Sequence, residues 1–369
     1  MRKFCILLSL SIILLASCAT SIAIPFMQPS SVDMGGYRNL ALASVVPYKG
    51  QIVPSGYIVG ADVRVSGLHI YSGYRDSGNE RVASYATDQL YSLLTQSGFF
   101  NLLSPERTDI IINRGFFGND ISSEFQSLGY DAVLIPRISG MSVNEVIYSV
   151  PDYDWWVDSD GDRHRRVDFD YYYRQIASID YTLTVIDTRT GKIVTQRTFS
   201  DTAKREDILD TRWSRLEDPA YLFRRMIRSF NDDIQSLLVP TYHEYDVTLM
   251  ANKPKNESVE SAYDAAKKGR IAEARDIFMA AWDNSAHLPS GYNTALLYAA
   301  SGDYDSAIDL LSDVMELYSD ADARQLYRDL LTIRTRNEQA QGQLSGESSV
   351  RESSDTNGNA VYGLALGGW

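Results

Sequence analysis

Three aspartates at alternate positions are the most suggestive group of side chains for chemistry in this sequence. Asp158, Asp160 and Asp162 lie within the run DYDWWVDSDGDRHRRVDFDYYYRQ. Because calcium takes several oxygen ligands from one compact loop, this spacing raises a cation site. An EF-hand loop beginning at Asp158 requires glycine at its sixth position and glutamate at its twelfth, where this chain has Arg163 and Phe169. The run therefore favours a polar hairpin turn, and we predict no metal.

The motifs of the common catalytic sites are missing. The sequence contains no G-x-S-x-G, no H-E-x-x-H, no G-x-x-x-x-G-K and no G-x-G-x-x-G. Its four histidines are dispersed, and none has a second ligand at helical spacing: His69, His164, His243 and His287. No pair of carboxylates stands out for acid–base catalysis. We therefore predict a non-catalytic protein without a cofactor.

The beginning of the chain resembles a bacterial lipoprotein signal. Arg2 and Lys3 precede an apolar stretch that is shorter than the roughly 20 residues of a permanent membrane-spanning helix. The stretch ends in the letters LASC, which match the lipobox and place its cysteine at Cys18. This resemblance implies cleavage before Cys18, lipidation of that cysteine and anchoring to a membrane by several acyl chains. Cys5 would leave with the signal, so the mature chain would have no thiol for a disulfide.

The charge balance bears on the class of partner. The chain carries 35 Lys and Arg against 48 Asp and Glu, a net charge of −13. Because a negative body repels phosphate backbones, we expect no nucleic-acid binding. The length suggests about two domains. The 24 tyrosines suit a β-rich extracytoplasmic protein.

Helix and strand signals alternate between residues 37 and 240 and predict an α/β domain. Apolar residues recur at helical spacing over about 80–97, and Gly98 ends that helix. A short buried strand is predicted at 132–135. A hairpin over 175–201 turns at DTRTG, residues 187–191. A last helix begins at Asp218-Pro219, where aspartate caps the helix and proline takes its first position.

Four phrases in this region carry a family resemblance. RNLALASVV, LTQSGFFNLL, LGYDAVLIPRIS and LTVIDTRTGKIV occur in this order. They resemble the curli-secretion-channel-like (CsgG-like) periplasmic lipoproteins, a family with related domains in penicillin-binding-protein activators and at the N-terminus of TolB. The resemblance implies a mixed sheet flanked by helices. It brings no catalytic site, because the family shares none.

The sequence after residue 258 contains an internal repeat. SAYDAAKKGRIAEARDIF, residues 261–278, aligns with TALLYAASGDYDSAIDLL, residues 294–311, at an offset of 33 residues. A period near 34 with small residues at helix crossings is typical of tetratricopeptide repeats. Asn293, just before the second copy, and Tyr298 within it are predicted to contact a partner in the groove of the paired helices. A third helix at about 321–338 would cap the pair.

The run 152–175 predicts an amphipathic hairpin that projects from the α/β domain. A register pairing Val157 with Val167 puts the aromatic residues on one face and the charged residues on the other. The partner-binding candidates of this hairpin are Trp155, Trp156, Tyr171 and Tyr173. In the curli-channel family a membrane-spanning hairpin leaves the domain at this position, which raises a secretion pore as an alternative. Pro151 would interrupt the outgoing arm, and the charged segment after GKIVTQRTF leaves no second hairpin.

Together these observations predict a lipid-anchored lipoprotein of the bacterial cell envelope. We expect it to be an adaptor that holds an unidentified envelope protein through its helical repeats, with a secretion pore or a cell-wall glycan binder as alternatives. The oligomeric state stays open. The predicted divisions are a signal peptide at 1–17, a lipidated linker at 18–36, a CsgG-like α/β domain at 37–245, tetratricopeptide-like helices at 258–338 and a disordered tail at 339–369.

Overall fold

A computed structural model describes residues 20–50, 69–71, 78–115, 121–208, 213–215 and 218–346. The predicted signal peptide, Cys18 and most of the predicted tail lie outside these residues. The chain forms two compact units, which we call the α/β unit and the helical unit. Among the described residues, the α/β unit spans Ser31–Val239, and the helical unit combines residues 20–30 with residues 240–346. In sequence, the α/β unit is therefore an insertion within the helical unit.

A five-stranded mixed sheet forms the centre of the α/β unit. Its strand order is β4-β2-β5-β6-β7, with β4, β2 and β5 parallel and β6 and β7 antiparallel to their neighbours. The strands are β2 (Asn39–Leu42), β4 (Asn101–Leu103), β5 (Ala132–Val157), β6 (Arg163–Asp187) and β7 (Ile193–Ile208). A separate short parallel pair joins β3 (His69–Tyr71) to β8 (Trp213–Arg215). The mixed sheet is the coarse fold that the sequence predicts.

Helices pack on both faces of this sheet. The unit contains α1 (Gly78–Gln96), α2 (Pro105–Gly115), α3 (Ile121–Ser127), α4 (Ala220–Ser229) and α5 (Asn231–Leu238). On one face, α2 and α3 bury Ile111 and Phe125 against Ala41 and Val133 of the sheet. On the other face, the ring of Tyr181 stacks on Phe230, between α4 and α5, with centroids 6.4 Å apart.

The helix boundaries follow local signals, with one difference. Helix α1 ends before Gly98, whose φ of +62° is the left-handed conformation that glycine adopts without strain. The single helix predicted from Asp218-Pro219 is instead two helices, α4 and α5, which meet at Phe230. Pro219 is the N-cap of α4 rather than its first residue, and the Asp218 carboxylate accepts a hydrogen bond from the Ala220 amide at 3.0 Å.

Strands β5 and β6 form a hairpin much longer than the sequence predicts. The strand expected at 132–135 continues for 26 residues, and β6 has 25. At about 3.3 Å per residue each arm is roughly 80 Å long. The predicted turn at 187–191 is present between β6 and β7, where the Asp187 carboxylate accepts hydrogen bonds from the amides of Arg189 at 2.7 Å and Thr190 at 2.8 Å.

The helical unit consists of two helix pairs and a long final helix. They are α6 (Glu260–Lys267), α7 (Ile271–Ser285), α8 (Leu288–Ala300), α9 (Tyr304–Leu317) and α10 (Ala321–Ser345). The offset of 33 residues found in the sequence separates the first residues of α7 and α9. It also separates Gly269 and Gly302, which turn the chain before these helices with φ of +73° and +82°. Helix α10 extends beyond the predicted end at 338, into residues predicted to be a disordered tail.

A two-stranded sheet belongs to the helical unit and corrects the predicted division of the chain. Residues 18–36 are predicted to be a linker, but β1 (Ser21–Gln28) is a strand that pairs antiparallel with β9 (Thr241–Thr248). The reason is that Ile22, Ile24 and Phe26 alternate along β1 and enter the helical core. The boundary therefore lies near residue 240 rather than at 245–258.

Candidate interaction surface

The outer part of the long hairpin is a two-stranded ribbon. Strand β2 pairs only with Ala132–Leu134 of β5, and β7 pairs with β6 only from Tyr172 inward. Residues 149–157 and 163–171, which we call the outer hairpin, therefore pair only with each other among the described strands. The outer hairpin is the candidate interaction surface because it carries Trp155 and Trp156, two of the predicted contact residues.

The register of the outer hairpin differs from the predicted one. Val157 lies opposite Arg163, and Tyr153 opposite Val167, whereas the sequence suggested Val157 opposite Val167. The turn is tighter than expected, because the Asp158 carboxylate accepts hydrogen bonds from the amides of Asp160 at 3.0 Å and Asp162 at 2.9 Å. The slip moves each pair by an even number of residues, and side chains alternate with a period of two. The predicted membership of the two faces therefore survives.

The same turn explains the alternating aspartates. Besides the two amides, the Asp158 carboxylate accepts a 2.5 Å hydrogen bond from Nε2 of His164. The bond from His164 and those from the backbone hold the pKa of Asp158 below its usual range. The carboxylate of Asp158 thus caps the turn, and Gly161 closes it with a φ of +86°. Within the described part of the chain, no group of three or more His, Cys, Asp or Glu side chains could hold a metal ion.

One face of the outer hairpin, which we call the aromatic face, exposes large apolar groups to water. Trp155 is 65% exposed, the highest value among the large apolar side chains of the outer hairpin. The Arg165 guanidinium lies over the rings of Tyr153 at 5.0 Å and Trp155 at 5.8 Å, a cation–π arrangement. The other exposed members of this face are Val157, Val167 and Phe169.

The opposite face, which we call the acidic face, carries four aspartates. Asp152 lies directly opposite Asp168, and Asp154 lies opposite Arg166. The two faces keep the members that the sequence predicts, but neither face is purely aromatic or purely charged. Trp156 belongs to the acidic face and stacks on His164 at 5.4 Å, while Arg163 and Arg165 belong to the aromatic face. The fourth aspartate of the acidic face is Asp170.

The predicted contact residues are not equally accessible. Trp155 and Trp156 are exposed near the turn, and Tyr171 is half-buried. Tyr173 is only 6% exposed, so the structure contradicts its role in partner contact. Its position explains the difference, because Tyr173 lies where β7 joins the ribbon and the sheet becomes three-stranded.

Pro151 does not interrupt the outgoing arm. Strand β5 runs through it, and Pro151 lies opposite Phe169. A proline lacks the N–H that a central strand donates, so it is tolerated where a strand has a free edge. Because no described strand pairs with the outer edge of β5, Pro151 fits there. Each arm of the outer hairpin therefore has nine residues, the lower limit of the 9–11 residues of a membrane-spanning strand, which removes one objection to the pore alternative.

The structure also contradicts the role predicted for Asn293. Asn293 is fully buried and binds the chain just after β9. Its Oδ1 accepts from the Met250 amide at 2.7 Å, and its Nδ2 donates to the Met250 carbonyl at 3.0 Å and to the Tyr263 hydroxyl at 3.1 Å. Asn293 therefore holds the backbone of Met250 in place rather than contacting a partner. Tyr298 is half-buried, with the Arg275 guanidinium 4.9 Å from its ring centroid.

Strands β1 and β9 lie on the helices whose surface the sequence predicted to bind a partner. Strand β1 packs on α8 and α10, and its Ile22, Ile24 and Phe26 join their core. The Tyr304 hydroxyl donates to the Pro25 carbonyl, and the Tyr245 hydroxyl donates to the Asp329 carboxylate at 2.8 Å. The chain thus covers this surface with its own strands, so the candidate contact surface shifts to the outer hairpin.

Sequence reasoning missed the strand β1, although its signal was present. Ile22, Ile24 and Phe26 alternate in the letters SIAIPFMQ. Pro25 and the nearby Pro29 made the segment look like a linker. Pro25 is tolerated because β1 pairs with β9 alone and so has a free edge among the described strands.

Comparisons with known proteins give weak likenesses only. No protein-family model matches the chain, and no curated protein matches it. Two structures of the PelC dodecamer from Paraburkholderia phytofirmans, one a point variant, cover 58% and 59% of this chain and 97% of their own, at 12% identity and a TM-score of 0.24. A crystal structure of lipoprotein GNA1162 from Neisseria meningitidis covers 53% of this chain and 97% of its own, at 10% identity and a TM-score of 0.22. Likenesses at these scores carry no conclusion about this chain. Among the described helices, none is long and apolar enough to cross a membrane.

Proposed function

We propose that this chain is a lipid-anchored lipoprotein of the bacterial envelope that acts without catalysis, as an adaptor for another envelope protein. The lipobox at Cys18 supports the anchor. The resemblance of the inserted unit to CsgG-like domains and of the helix pairs to tetratricopeptide repeats supports an extracytoplasmic scaffold. We place the contact with the partner at the outer hairpin rather than at the helices, because the helices are covered by β1 and β9.

The exposed aromatic face carries this proposal. Burial of large apolar side chains away from water is favourable by roughly 25 cal/mol per Å² of apolar surface. The end of the long ribbon leaves three such side chains exposed to solvent and so without this stabilisation: Trp155, Val157 and Phe169. Tryptophan, tyrosine and arginine are also the residues enriched at the energetic centres of protein interfaces, and Tyr153, Trp155 and Arg165 lie together here.

The chemistry of the two faces narrows the kind of partner. The aromatic face offers flat rings and a guanidinium, which suit an apolar protein surface with carboxylates or carbonyls at its edge. Asp152, Asp154, Asp168 and Asp170 give the other face a negative charge, and the whole chain is acidic. Such a ribbon repels nucleic acid and keeps the exposed rings soluble until a partner covers them.

The test is crosslinking and co-purification of the native lipoprotein from its own membranes. The variants Trp155→Ala and Trp156→Ala should lose the crosslinked envelope protein. Tyr221→Ala is the matched control, because Tyr221 is 62% exposed on α4 of the same unit. If the tryptophan variants keep every partner that the control keeps, the outer hairpin is not the contact surface. If they lose only binding to isolated cell-wall material, the protein is a glycan binder.

A subunit of a secretion pore is the second candidate, favoured by one observation. Strand β5 is continuous through Pro151, so each arm of the outer hairpin has nine residues, the lower limit for a membrane-spanning strand. The charged end of β7 pairs with β6 and does not begin a second projecting hairpin. Rings that resist mild detergent and conduct ions across a planar bilayer would establish the pore. Monomers in mild detergent would exclude it.

A further inference from the structure

The structure brings the proposed lipid anchor to one particular surface of the helical unit. The carbonyl of Thr20 accepts a hydrogen bond from the Leu249 amide at 3.0 Å, and β1 begins at the next residue. Thr20 lies two positions after Cys18, with Ala19 between them. Because consecutive Cα atoms are 3.8 Å apart, the Cα of Cys18 lies within about 8 Å of that of Thr20. A lipid on Cys18 is therefore joined to the helical unit by almost no flexible linker.

Strand β1 is held too firmly to act as a flexible linker itself. It pairs with β9 over eight residues, and Ile24 is fully buried in the helical core. Farther along, the Met27 amide donates to Oδ1 of Asn337 at 3.1 Å. At Ser30, the amide donates to Oε1 of Gln343 at 2.9 Å, and Nε2 of Gln343 donates back to the carbonyl at 3.2 Å. Releasing β1 would open the core of the helical unit.

We propose that the end of the β1–β9 sheet at Ser21 and Thr248, together with the following loop 249–256, is a surface that contacts phospholipid headgroups. This inference rests on the lipid anchor of the proposed function. With the acyl chains inserted in the bilayer, this end lies at the headgroups. The opposite end, where Gln28 pairs with Thr241, is seven residue steps away, or about 23 Å along the strand.

The loop 249–256 is built as a fixed surface. The Asn293 side chain binds both backbone groups of Met250, and Nε2 of His287 lies 2.9 Å from the Pro254 carbonyl. Asn252 and Asn256 close the loop with two hydrogen bonds, at 2.8 and 2.9 Å. Its exposed residues are Ala251, Lys253, Pro254 and Lys255. Lys255 forms a salt bridge with Glu260 at 3.0 Å, so Lys253 is the lysine of this loop whose charge suits the anionic headgroups of a membrane surface.

The experiment compares two single-cysteine probes in the full mature lipoprotein. Cys18 is occupied by lipid, so Ala251→Cys and Tyr242→Cys each provide one free thiol for a fluorescent dye. Both positions are exposed, and Tyr242 lies toward the far end of β9. The protein is reconstituted into vesicles of phosphatidylethanolamine and phosphatidylglycerol that contain a lipid spin-labelled at its headgroup. We expect loss of most fluorescence at position 251 and little loss at position 242.

Two further variants make the outcome decisive. A flexible Gly/Ser segment inserted between Ala19 and Thr20 should abolish the difference between the probes, because the unit can then leave the surface. Equal quenching at the two positions without the insertion would overturn the inference, while the anchor would stand. If Cys18→Ser leaves the protein in the membrane fraction instead of releasing it, the lipid anchor itself is wrong and the proposed function fails with it.

Discussion

Two antiparallel ribbons of this molecule have the same architecture and opposite surroundings. In the β1–β9 ribbon, Ile22, Ile24 and Phe26 alternate along one strand and are buried by helices of the same chain. In the outer hairpin, Tyr153, Trp155 and Val157 alternate in the same way and are exposed. Alternation therefore identifies the apolar face of a strand in both ribbons, but it does not reveal whether the chain itself covers that face.

Side-chain chemistry distinguishes the two ribbons. The buried face of β1 is formed mainly by aliphatic groups, which are stable only away from water. The aromatic face contains tyrosine and tryptophan, which tolerate a partly wet environment, and an arginine that stacks on them. The difference indicates a structural role for the first ribbon and agrees with the contact role that we propose for the second.

The largest expected effect tests the structural role of β1. Replacing Ile24 with alanine removes a fully buried side chain and should destabilise the helical unit by about 2–5 kcal/mol. Hydrogen exchange of peptides from α8, followed by mass spectrometry, measures this loss locally. Trp155→Ala is the matched change in the exposed ribbon and should alter stability by less than about 0.5 kcal/mol. Unchanged protection of α8 in the Ile24→Ala variant would contradict the assignment of β1 to this core.

A smaller effect tests the link between β9 and the helices. Asn293→Ala leaves the amide and carbonyl of Met250 without their side-chain partner and should cost about 1–3 kcal/mol. Urea unfolding of the full mature chain gives the change in the free energy of unfolding. Asn284→Ala, an exposed asparagine of α7, is the control and should have little effect. Equal stability of the two variants would return Asn293 to the list of candidate contact residues.

The smallest effect concerns the turn of the outer hairpin and depends on pH. Hydrogen bonds from His164 and the backbone lower the pKa of Asp158 in the folded state, so the ionised carboxylate favours the turn. This contribution is present above the unfolded value, about pH 3.9, and is lost as the pH falls through the lowered folded pKa. We expect the protection of the Asp160 and Asp162 amides, which NMR measures as exchange relative to an unstructured peptide at the same pH, to fall in that acidic range. The variant Asp158→Asn should show fast exchange at neutral pH, whereas Asp168→Asn should not.

Local signals predicted much of the fold. Val82, Leu90 and Leu94 marked α1, Gly98 marked its end, and the turn at 187–191 lies where its residues indicated. Strand β1 was missed despite its alternating apolar residues, because Pro25 suggested a linker and the partner strand β9 lies more than two hundred residues away. The length of β5 was not predicted because Pro151 indicates the end of a strand, unless it is known that this edge of β5 has no neighbouring strand.

The candidate surface was predicted less completely. Trp155 and Trp156 are exposed as expected, whereas Tyr173 and Asn293 are buried. Their burial depends on β7 and on the backbone of Met250, neither of which is near them in sequence. The register was wrong because one carboxylate, that of Asp158, decides how tightly the turn closes, and hydrophobic patterning does not encode that contact.

The insertion of the α/β unit between β1 and β9 also determines an order of folding. Strand β1 is made first, and its partner is made only after the whole inserted unit. Contacts so distant in sequence form slowly, although the entropy of closing the intervening loop grows only with the logarithm of its length. Until then Ile22, Ile24 and Phe26 remain in water. The newly made chain is therefore most prone to aggregation through this strand in the interval before β9 is made and pairs with it.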